Sequence, residues 1–174
     1  GDFISAQELL NEVDKDSIRF MMLNRNNDVE IDFDFDKVKE KTKDNPVYYV
    51  QYAYARINSL LRTLNTSFVE KIEFNEIDFA LNEMEEKIIR KVFEWPKIIE
   101  SATRQFDLHK IPFYLYELST LFHAYWSRGN EDKRYKFIEN ENIKRKEILA
   151  IINLVAIVIK NGMGILDVSL PKKM

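Results

Sequence analysis

The chain has 174 residues, of which 45% are hydrophobic and 32% charged, so a folded core is expected and general disorder is not. It has no cysteine, which excludes disulfides and thiolate zinc sites, and its two histidines are too few for a histidine-based metal site. The net charge of −3 excludes a basic tail that binds polyanions in bulk. Charge is unevenly distributed: residues 1–46 hold 12 acidic and 7 basic side chains, whereas residues 47–174 hold 17 acidic and 19 basic ones.

Two short helices are predicted at the start of the chain. Ser5 and Glu8 have capping-box spacing at the beginning of a helix over residues 5–13. Asp14 or Asp16 can cap a second helix that continues to about Asn24. The side chains expected to point inward from this second helix are Ile18, Met21 and Met22.

Two further segments complete the first quarter of the sequence. Residues 26–36 alternate apolar and acidic side chains, which predicts an extended segment that lies on a surface. Residues 36–44 predict a solvated helix, because charged side chains dominate that stretch.

One long helix is predicted from residue 46 to about residue 65. Asn45 is a suitable N-cap, and Pro46 then occupies the first turn, where a missing N–H has no cost. One apolar stripe repeats at helical spacing: Val50, Ala53, Ile57, Leu60, Leu61 and Leu64. A second stripe, roughly 200° away, consists of Tyr48, Tyr52, Ala55, Arg56 and Ser59.

Tyr52 and Arg56 are neighbours on this second stripe, because they lie four residues apart on a helix. A phenol ring beside a guanidinium suits a flat anionic ligand, such as an RNA base with its phosphate. The same tyrosines could instead pack against a second helix, with their hydroxyl groups at the rim. Spacing alone leaves both interpretations open.

The remaining sequence predicts more helices and no strands. After a loop at about 66–75, one helix runs up to Pro96 and another begins there. Residues 111–126 predict a helix, followed by a loop at 127–135. A last helix is predicted from about Asn142 to Lys160, with Asn161-Gly162 as its C-cap. Its apolar run, residues 148–159, is shorter than a membrane span and indicates a buried core helix.

The predicted fold class is therefore all-α, a helical bundle preceded by a small helical and extended segment. The sequence has no glycine-rich phosphate loop, no nucleophile elbow and no metal-ligand cluster. His123 lies in an apolar helix and is expected to be a hydrogen-bonded packing residue. Catalysis by this chain is not expected, and no residue is expected to be a catalytic group or a metal ligand.

Five segments resemble, in order, the corresponding segments of arginyl-tRNA synthetases. They are DKDSIRFMML (14–23), VEIDFDFDKVKE (29–40), DNPVYYVQYAYARI (44–57), YLYELSTLFHAYW (114–126) and NGMGILDVSLPKKM (161–174). The third departs from the family at Tyr54, where a histidine is usual. The fourth departs at Trp126, where a tyrosine is usual.

The resemblance implies a class I synthetase without its catalytic part, because the HIGH and KMSKS signatures of that part are absent. It implies a linking segment over residues 1–45 and a DALR-type anticodon-binding domain over residues 46–174. ATP and Mg²⁺ would be used by the full-length enzyme, and no cofactor is expected in this part.

By position in the family's motifs, the resemblance assigns RNA contacts to Tyr52, Arg56, Trp126 and Met174. Tyr48 and Lys160 are added as further candidates. Met174 would offer its terminal carboxylate to a base edge, and Trp126 would stack on a base without the hydrogen bond of a phenol.

The partner implied is an arginine tRNA, held by its anticodon loop, with no DNA and no membrane involved. The expected protein is a monomer in the cytoplasm. Two alternatives stay open: the same domain type from another synthetase, such as the cysteinyl enzyme or a glycyl subunit, and a helical protein–protein module. Binding that weakens steeply with salt would favour RNA over a hydrophobic protein partner.

Overall fold

In this computed structural model the chain is described over residues 6–25, 38, 40–66 and 80–174, with side chains from residue 8 onward. The helices in these ranges are α1 (Ala6–Glu12), α2 (Lys15–Leu23), α3 (Pro46–Thr63), α4 (Glu83–Phe93), α5 (Trp95–Gln105), α6 (Lys110–Glu131) and α7 (Lys146–Ile165). A 3-10 turn (Lys133–Tyr135) leads into an antiparallel hairpin of β1 (Ile138–Glu139) and β2 (Asn142–Ile143). The all-α prediction is confirmed apart from this hairpin.

The core forms where α3 and α4 pack against α6 and α7. Apolar side chains at helical spacing meet there and are almost fully buried, among them Ile57, Leu60, Ile88, Leu115, Phe122, Ile152 and Val155. Phe20 of α2 enters the same core, whereas Val13, Ile18 and Val38 form a small separate cluster. Phe20 is therefore the buried side chain through which α2 enters the main core, and Leu23 packs against that core from the end of the same helix.

Helix α7 is the central helix of this core. It is long and apolar enough to cross a membrane by length and composition, but 61% of its most apolar stretch is buried inside the bundle. Asn153, its buried polar side chain, donates to the Leu149 carbonyl at 2.8 Å. The prediction of a buried core helix over residues 148–159 is confirmed.

Both predicted ends of this last helix are wrong. The helix begins at Lys146 because the hairpin occupies the residues before it. It passes through Gly162, which is buried because the helix lies so close to α6 that a Cβ there would come within 2.7 Å of Leu115 Cδ2. The chain turns instead at Asp167, whose φ of 53° is left-handed and which follows the last helical turn.

The predicted loop at 127–135 is also largely wrong, because α6 continues to Glu131. Gly129 lets the following turn pack directly against this part of the helix, since a Cβ there would lie 2.9 Å from the Tyr135 carbonyl oxygen. The following turn and hairpin then fold back so that Phe137 is buried against Tyr125, with ring centres 4.5 Å apart.

Near the start of the chain the predictions hold in part. Asp14 caps α2 by accepting from the Ser17 amide at 2.9 Å, and Ile18 is buried, but Met22 is 51% exposed. Of the helix predicted over 36–44, Val38 is helical, whereas residues 40–45 form bends and a turn. The extended segment predicted at 26–36 and most of the loop at 66–75 lie outside the described residues.

A buried carboxylate joins α4 to the hairpin. Glu85 has no exposed surface, accepts from the Tyr125 hydroxyl at 2.5 Å, and is hydrogen bonded to the guanidinium of Arg145. Its side chain also completes a capping box with Asn82 at the start of α4. Because a buried charge without a partner is costly, this cluster fixes the position of the chain that enters α7.

The last residues, 167–174, form a tail that crosses α2 and α3. Hydrogen bonds with side chains of α2 and α3 hold it there: Arg19 donates to Asp167 (2.8 Å), Asp16 accepts from the Ser169 amide (3.1 Å) and from the Ser169 hydroxyl, Gln51 donates to the Ser169 carbonyl (3.0 Å) and Arg62 donates to the Lys172 carbonyl (3.0 Å). The tail therefore reaches α3 in a fixed register.

Candidate nucleic-acid interface

Helices α3 and α6 lie side by side and run in the same direction. Ring contacts advance together along both: Tyr49 with Tyr116 (5.3 Å between ring centres), then Tyr52 with His123 (5.5 Å), then Arg56 with Trp126 (5.2 Å from guanidinium to ring). The tyrosine–arginine stripe of α3 thus faces an aromatic stripe on α6, which consists of Tyr116, His123 and Trp126. Side chains far apart in sequence meet because the two helices are in register.

A cleft of about 500 Å³ opens where these two stripes meet the tail. Its lining residues are Tyr52, Ala55, Arg56, Ser59, Arg62, Trp126, Lys173 and Met174. Four residues singled out from the sequence, Tyr52, Arg56, Trp126 and Met174, are brought together in this cleft. Three cations line it, and none of the described residues that line it is an Asp or a Glu, so this part of the chain favours an anion there.

The guanidinium of Arg56 is held at the centre of this arrangement. It lies 4.3 Å from the centre of the Tyr52 ring and 5.2 Å from that of Trp126, both within cation–π distance. Its Nη1 donates to His123 Nδ1 at 3.2 Å. The remaining N–H groups are available to the cleft, because a guanidinium has five donors.

His123 fixes Arg56 from the α6 side. Its ring is 5% exposed and its Nε2 lies 3.1 Å from the Tyr49 carbonyl oxygen. Since Arg56 can only donate, Nδ1 accepts and the Nε2–H donates to the carbonyl. Burial, and secondarily the charge of Arg56, lower the pKa of His123 to about 4, so the ring is neutral and an acceptor at physiological pH.

The structure partly separates the two interpretations of the tyrosines, packing against a second helix and contact with RNA. Tyr49 packs between Tyr116 and His123, and burial raises its pKa. Tyr54, at the position of the family's histidine, is buried in the core. Tyr52 does both, because its ring contacts α6 and also lines the cleft.

Tyr48 and Lys160 lie outside the cleft. Tyr48 stacks on Tyr52 with ring centres 5.8 Å apart and planes at 17°, and lines a separate depression beside residues 12–17 and 38–51. Lys160 is exposed on α7 and does not line the cleft. An RNA contact by either residue stays a prediction.

Sequence reasoning missed three residues that complete the site. His123 was expected to be a buried, hydrogen-bonded packing residue, which is confirmed, but its bond to Arg56 was not foreseen. Its spacing of three residues before Trp126 is the signal that could have revealed it. Arg62 continues the helical stripe of Tyr52, Arg56 and Ser59, and Lys173 arrives with the tail.

No group of three His, Asp or Glu side chains suited to a metal ion occurs in the described part of the chain. The cleft instead combines aromatic faces with fixed guanidinium and ammonium donors. Such a surface can stack a planar ring and neutralise a phosphate, as sites for single-stranded nucleic acid do.

Sequence comparison agrees with this class of site. Residues 50–174 match the DALR anticodon binding domain family, and the chain belongs to that family.

Relatives that match the whole chain are all of one kind, arginine–tRNA ligases, in the two alignments that follow. It is 48% identical over 174 residues to an arginine–tRNA ligase of Pelagibacter ubique, and 37% identical over 181 residues to one of Rhizobium meliloti. All of the chain is covered in both alignments, but only 30% and 31% of the two relatives. The chain thus spans about a third of the length of the curated relatives it matches.

Solved structures repeat the fold. An arginyl-tRNA synthetase structure from Campylobacter jejuni superposes with a TM-score of 0.81 at 27% identity, over 100% of this chain and 36% of that one. The Thermus thermophilus arginyl-tRNA synthetase superposes with a TM-score of 0.70 at 20% identity, over 99% of this chain and 28% of that one. The second likeness is one of fold alone.

Proposed function

We propose that this chain is the anticodon-binding part of an arginine–tRNA ligase, and that the cleft holds an unstacked base of the anticodon loop of an arginine tRNA. The observation that carries the proposal is the convergence of Tyr52, Arg56, Trp126 and Met174 in one cleft that is also lined by the cations Arg62 and Lys173. Tyr52 and Arg56 stand on α3, Trp126 on α6 and Met174 on the tail, so only the folded chain assembles them.

The binding step uses the rings and cations in separate roles. An extruded base stacks against Tyr52 or Trp126, a contact worth about 1–3 kcal/mol per base. Arg56, oriented by His123, donates to a base edge or a phosphate. Arg62 and Lys173 add positive charge at the edge of the cleft.

Met174 has a role that depends on its position at the end of the tail. Its carboxylate, where it is the terminal residue, accepts from the amino group of a base. The hydrogen bond of Arg62 to the Lys172 carbonyl holds that end of the chain at the cleft. Tyr48 stacks on the Tyr52 ring, and Lys160 adds positive charge to the surface of α7.

The wider role follows from the relatives. Binding of the loop would help to position the other end of the tRNA in the catalytic part of the ligase, where arginine is attached with ATP and Mg²⁺. No step of that reaction is assigned to the residues described here. A monomer in the cytoplasm is the expected state.

The test compares two RNAs and three proteins. Binding to an arginine tRNA, and to the same tRNA with its middle anticodon base changed, is measured at two salt concentrations. The proteins are the wild type, Tyr52→Ala, and the control Phe113→Ala, which removes an exposed ring from α6 more than ten residues from Trp126. We expect the base change to weaken wild-type and control binding about tenfold, and Tyr52→Ala to abolish the difference.

Other outcomes identify the alternatives. If the wild type binds both tRNAs equally, the proposal is wrong. Tight binding of a tRNA for cysteine or glycine over one for arginine would point to the same domain type from another synthetase. Binding to protein partners that is insensitive to salt, without RNA binding, would favour the protein–protein module.

A further inference from the structure

A second pocket lies next to the cleft and shares one wall with it. This space, the hairpin pocket, has a volume of about 230 Å³ and is lined by Leu60 of α3, by the end of α6, and by Tyr135, Lys136 and Phe137 of the turn that leads into the hairpin. Trp126 lines both spaces. A ligand that extends from the cleft past this indole therefore enters the hairpin pocket.

The position of the pocket follows from the register of α3 and α6. Arg56 and Trp126 face each other in the cleft, and four residues further on, Leu60 and Asn130 line the hairpin pocket. Four residues of helix correspond to about 6 Å. Since both helices run in the same direction, the pocket is one turn beyond the cleft along both.

The walls of the pocket suit a planar, partly apolar group. Leu60 and Phe137 are buried and form its floor, and the rings of Trp126 and Tyr135 are partly exposed at its sides. Its volume is below the range of about 300–1,000 Å³ that is typical of drug-sized ligands. One planar ring system is therefore the largest group that it accommodates well.

Two polar side chains at the mouth are exposed and without partners in the part of the chain that the structure describes. Asn130 offers an amide with both donor and acceptor atoms, and Lys136 offers an ammonium group. The neighbouring cations differ, because Arg134 is paired with Asp132 and Arg128 with Glu131. The uncompensated charge at the mouth is thus that of Lys136.

We propose that the hairpin pocket is a second base subsite, which takes the loop nucleotide next to the one in the cleft. Its base lies against Trp126 and Tyr135, Asn130 hydrogen bonds the base edge, and Lys136 contacts the phosphate. Single-stranded RNA is bound in this way, with successive bases on aromatic side chains and cations along the backbone. This inference rests on the proposed function of the cleft.

The experiment uses the full chain and an anticodon stem-loop RNA of an arginine tRNA, with one abasic nucleotide placed at each loop position in turn. For the wild type we expect two adjacent positions at which the missing base weakens binding about fivefold or more. One is the position read by the cleft, so Tyr52→Ala removes its penalty. Asn130→Ala removes most of the penalty at the other position only.

Lys136→Ala tests the phosphate contact, with Lys133→Ala as its matched control. Both lysines are exposed cations in the same turn, but Lys133 does not line the pocket. We expect Lys136→Ala to weaken binding to every RNA in the series and to reduce the slope of log K against log salt by about 1. Lys133→Ala is expected to change that slope less.

The outcomes separate this proposal from the one on which it rests. If Tyr52→Ala removes a penalty but Asn130→Ala removes none, and the two lysine variants behave alike, the hairpin pocket is not a base subsite and the cleft assignment stands. If Tyr52→Ala removes no penalty either, both proposals are wrong.

Discussion

The most direct test of the site is the replacement of His123, the acceptor that orients Arg56. His123→Phe keeps a buried ring next to Tyr49 and Phe122 but removes the acceptor 3.2 Å from Arg56 Nη1. A hydrogen bond from a charged donor contributes about 1.5–3 kcal/mol, and two cation–π contacts remain to hold the guanidinium. We therefore expect discrimination of the middle anticodon base to fall by about 1–2 kcal/mol, or roughly 5- to 30-fold in relative affinity.

Two conservative variants separate positioning from packing. In His123→Asn the amide oxygen takes the place of Nδ1, so Arg56 keeps an acceptor and discrimination is expected to recover. In His123→Gln the amide reaches the place of Nε2, which restores the bond to the Tyr49 carbonyl but not the one to Arg56. Equilibrium binding of the two tRNAs is measured for all variants, with thermal unfolding as the control for stability.

Discrimination by His123→Phe equal to that of the wild type would show that His123 does not orient Arg56. Equal losses of discrimination in His123→Asn and His123→Gln, at similar stability, would show that His123 acts only through its volume.

Three further predictions concern stability. Folding lowers the pKa of His123 from about 6.5 to about 4, so about 3 kcal/mol of the free energy of unfolding is present above pH 6.5 and is lost as the pH falls to 4. Urea unfolding at several pH values should show this loss of stability for the wild type and not for His123→Phe. Gly162→Ala should destabilise the fold by about 1–3 kcal/mol, because the new Cβ would lie 2.7 Å from the buried Leu115 side chain. Gly164→Ala, where a Cβ would have nothing within 4 Å, should stabilise it by up to about 1 kcal/mol. The opposite order of stability in urea unfolding would contradict the close packing at Gly162. Glu85→Gln should cost about 1–3 kcal/mol, because Arg145, whose side chain is 36% exposed, loses its buried carboxylate partner; an unchanged unfolding midpoint would refute that role of the pair.

The helical part of the fold was accessible from the sequence because its signals are local. The apolar repeat of α3 and the cap at Asn45, which accepts from the Tyr48 amide, both operate within a few residues. The central run of α7 was recognisable for the same reason. Such signals need no knowledge of the rest of the chain.

The hairpin was missed because distant partners hold it in place. Its turn has positive φ at Asn140 (50°) and Glu141 (62°), but an Asn-Glu pair is a much weaker turn signal than Asn-Gly. Phe137 is buried against α6, and Arg145 bonds to Glu85, 60 residues earlier. The Asn161-Gly162 pair misled in the opposite way, since close packing on Leu115 and not a helix end explains that glycine.

The residues of the site likewise differ in whether a local signal in the sequence predicts them. The Tyr52–Arg56 pair follows from helical spacing alone, whereas the roles of Trp126 and Met174 came only from the family resemblance. That all four line one cleft depends on the register of α3 against α6 and on the path of the tail. The partnership of His123 with Arg56 spans 67 residues, and its one signal in the sequence is indirect, the spacing of His123 three residues before Trp126.

The hydrogen bonds of the tail extend the proposed RNA-binding unit to residues ahead of the matched domain. Asp16 and Arg19, two of the side chains that hold the tail, belong to the segment ahead of residue 45, although the family match begins at residue 50. A chain shortened to residues 45–174 would keep every side chain of the cleft and lose both of these tethers. Its last residues would have to be ordered during each binding event, and that conformational entropy would appear as a slower association and a weaker affinity for RNA.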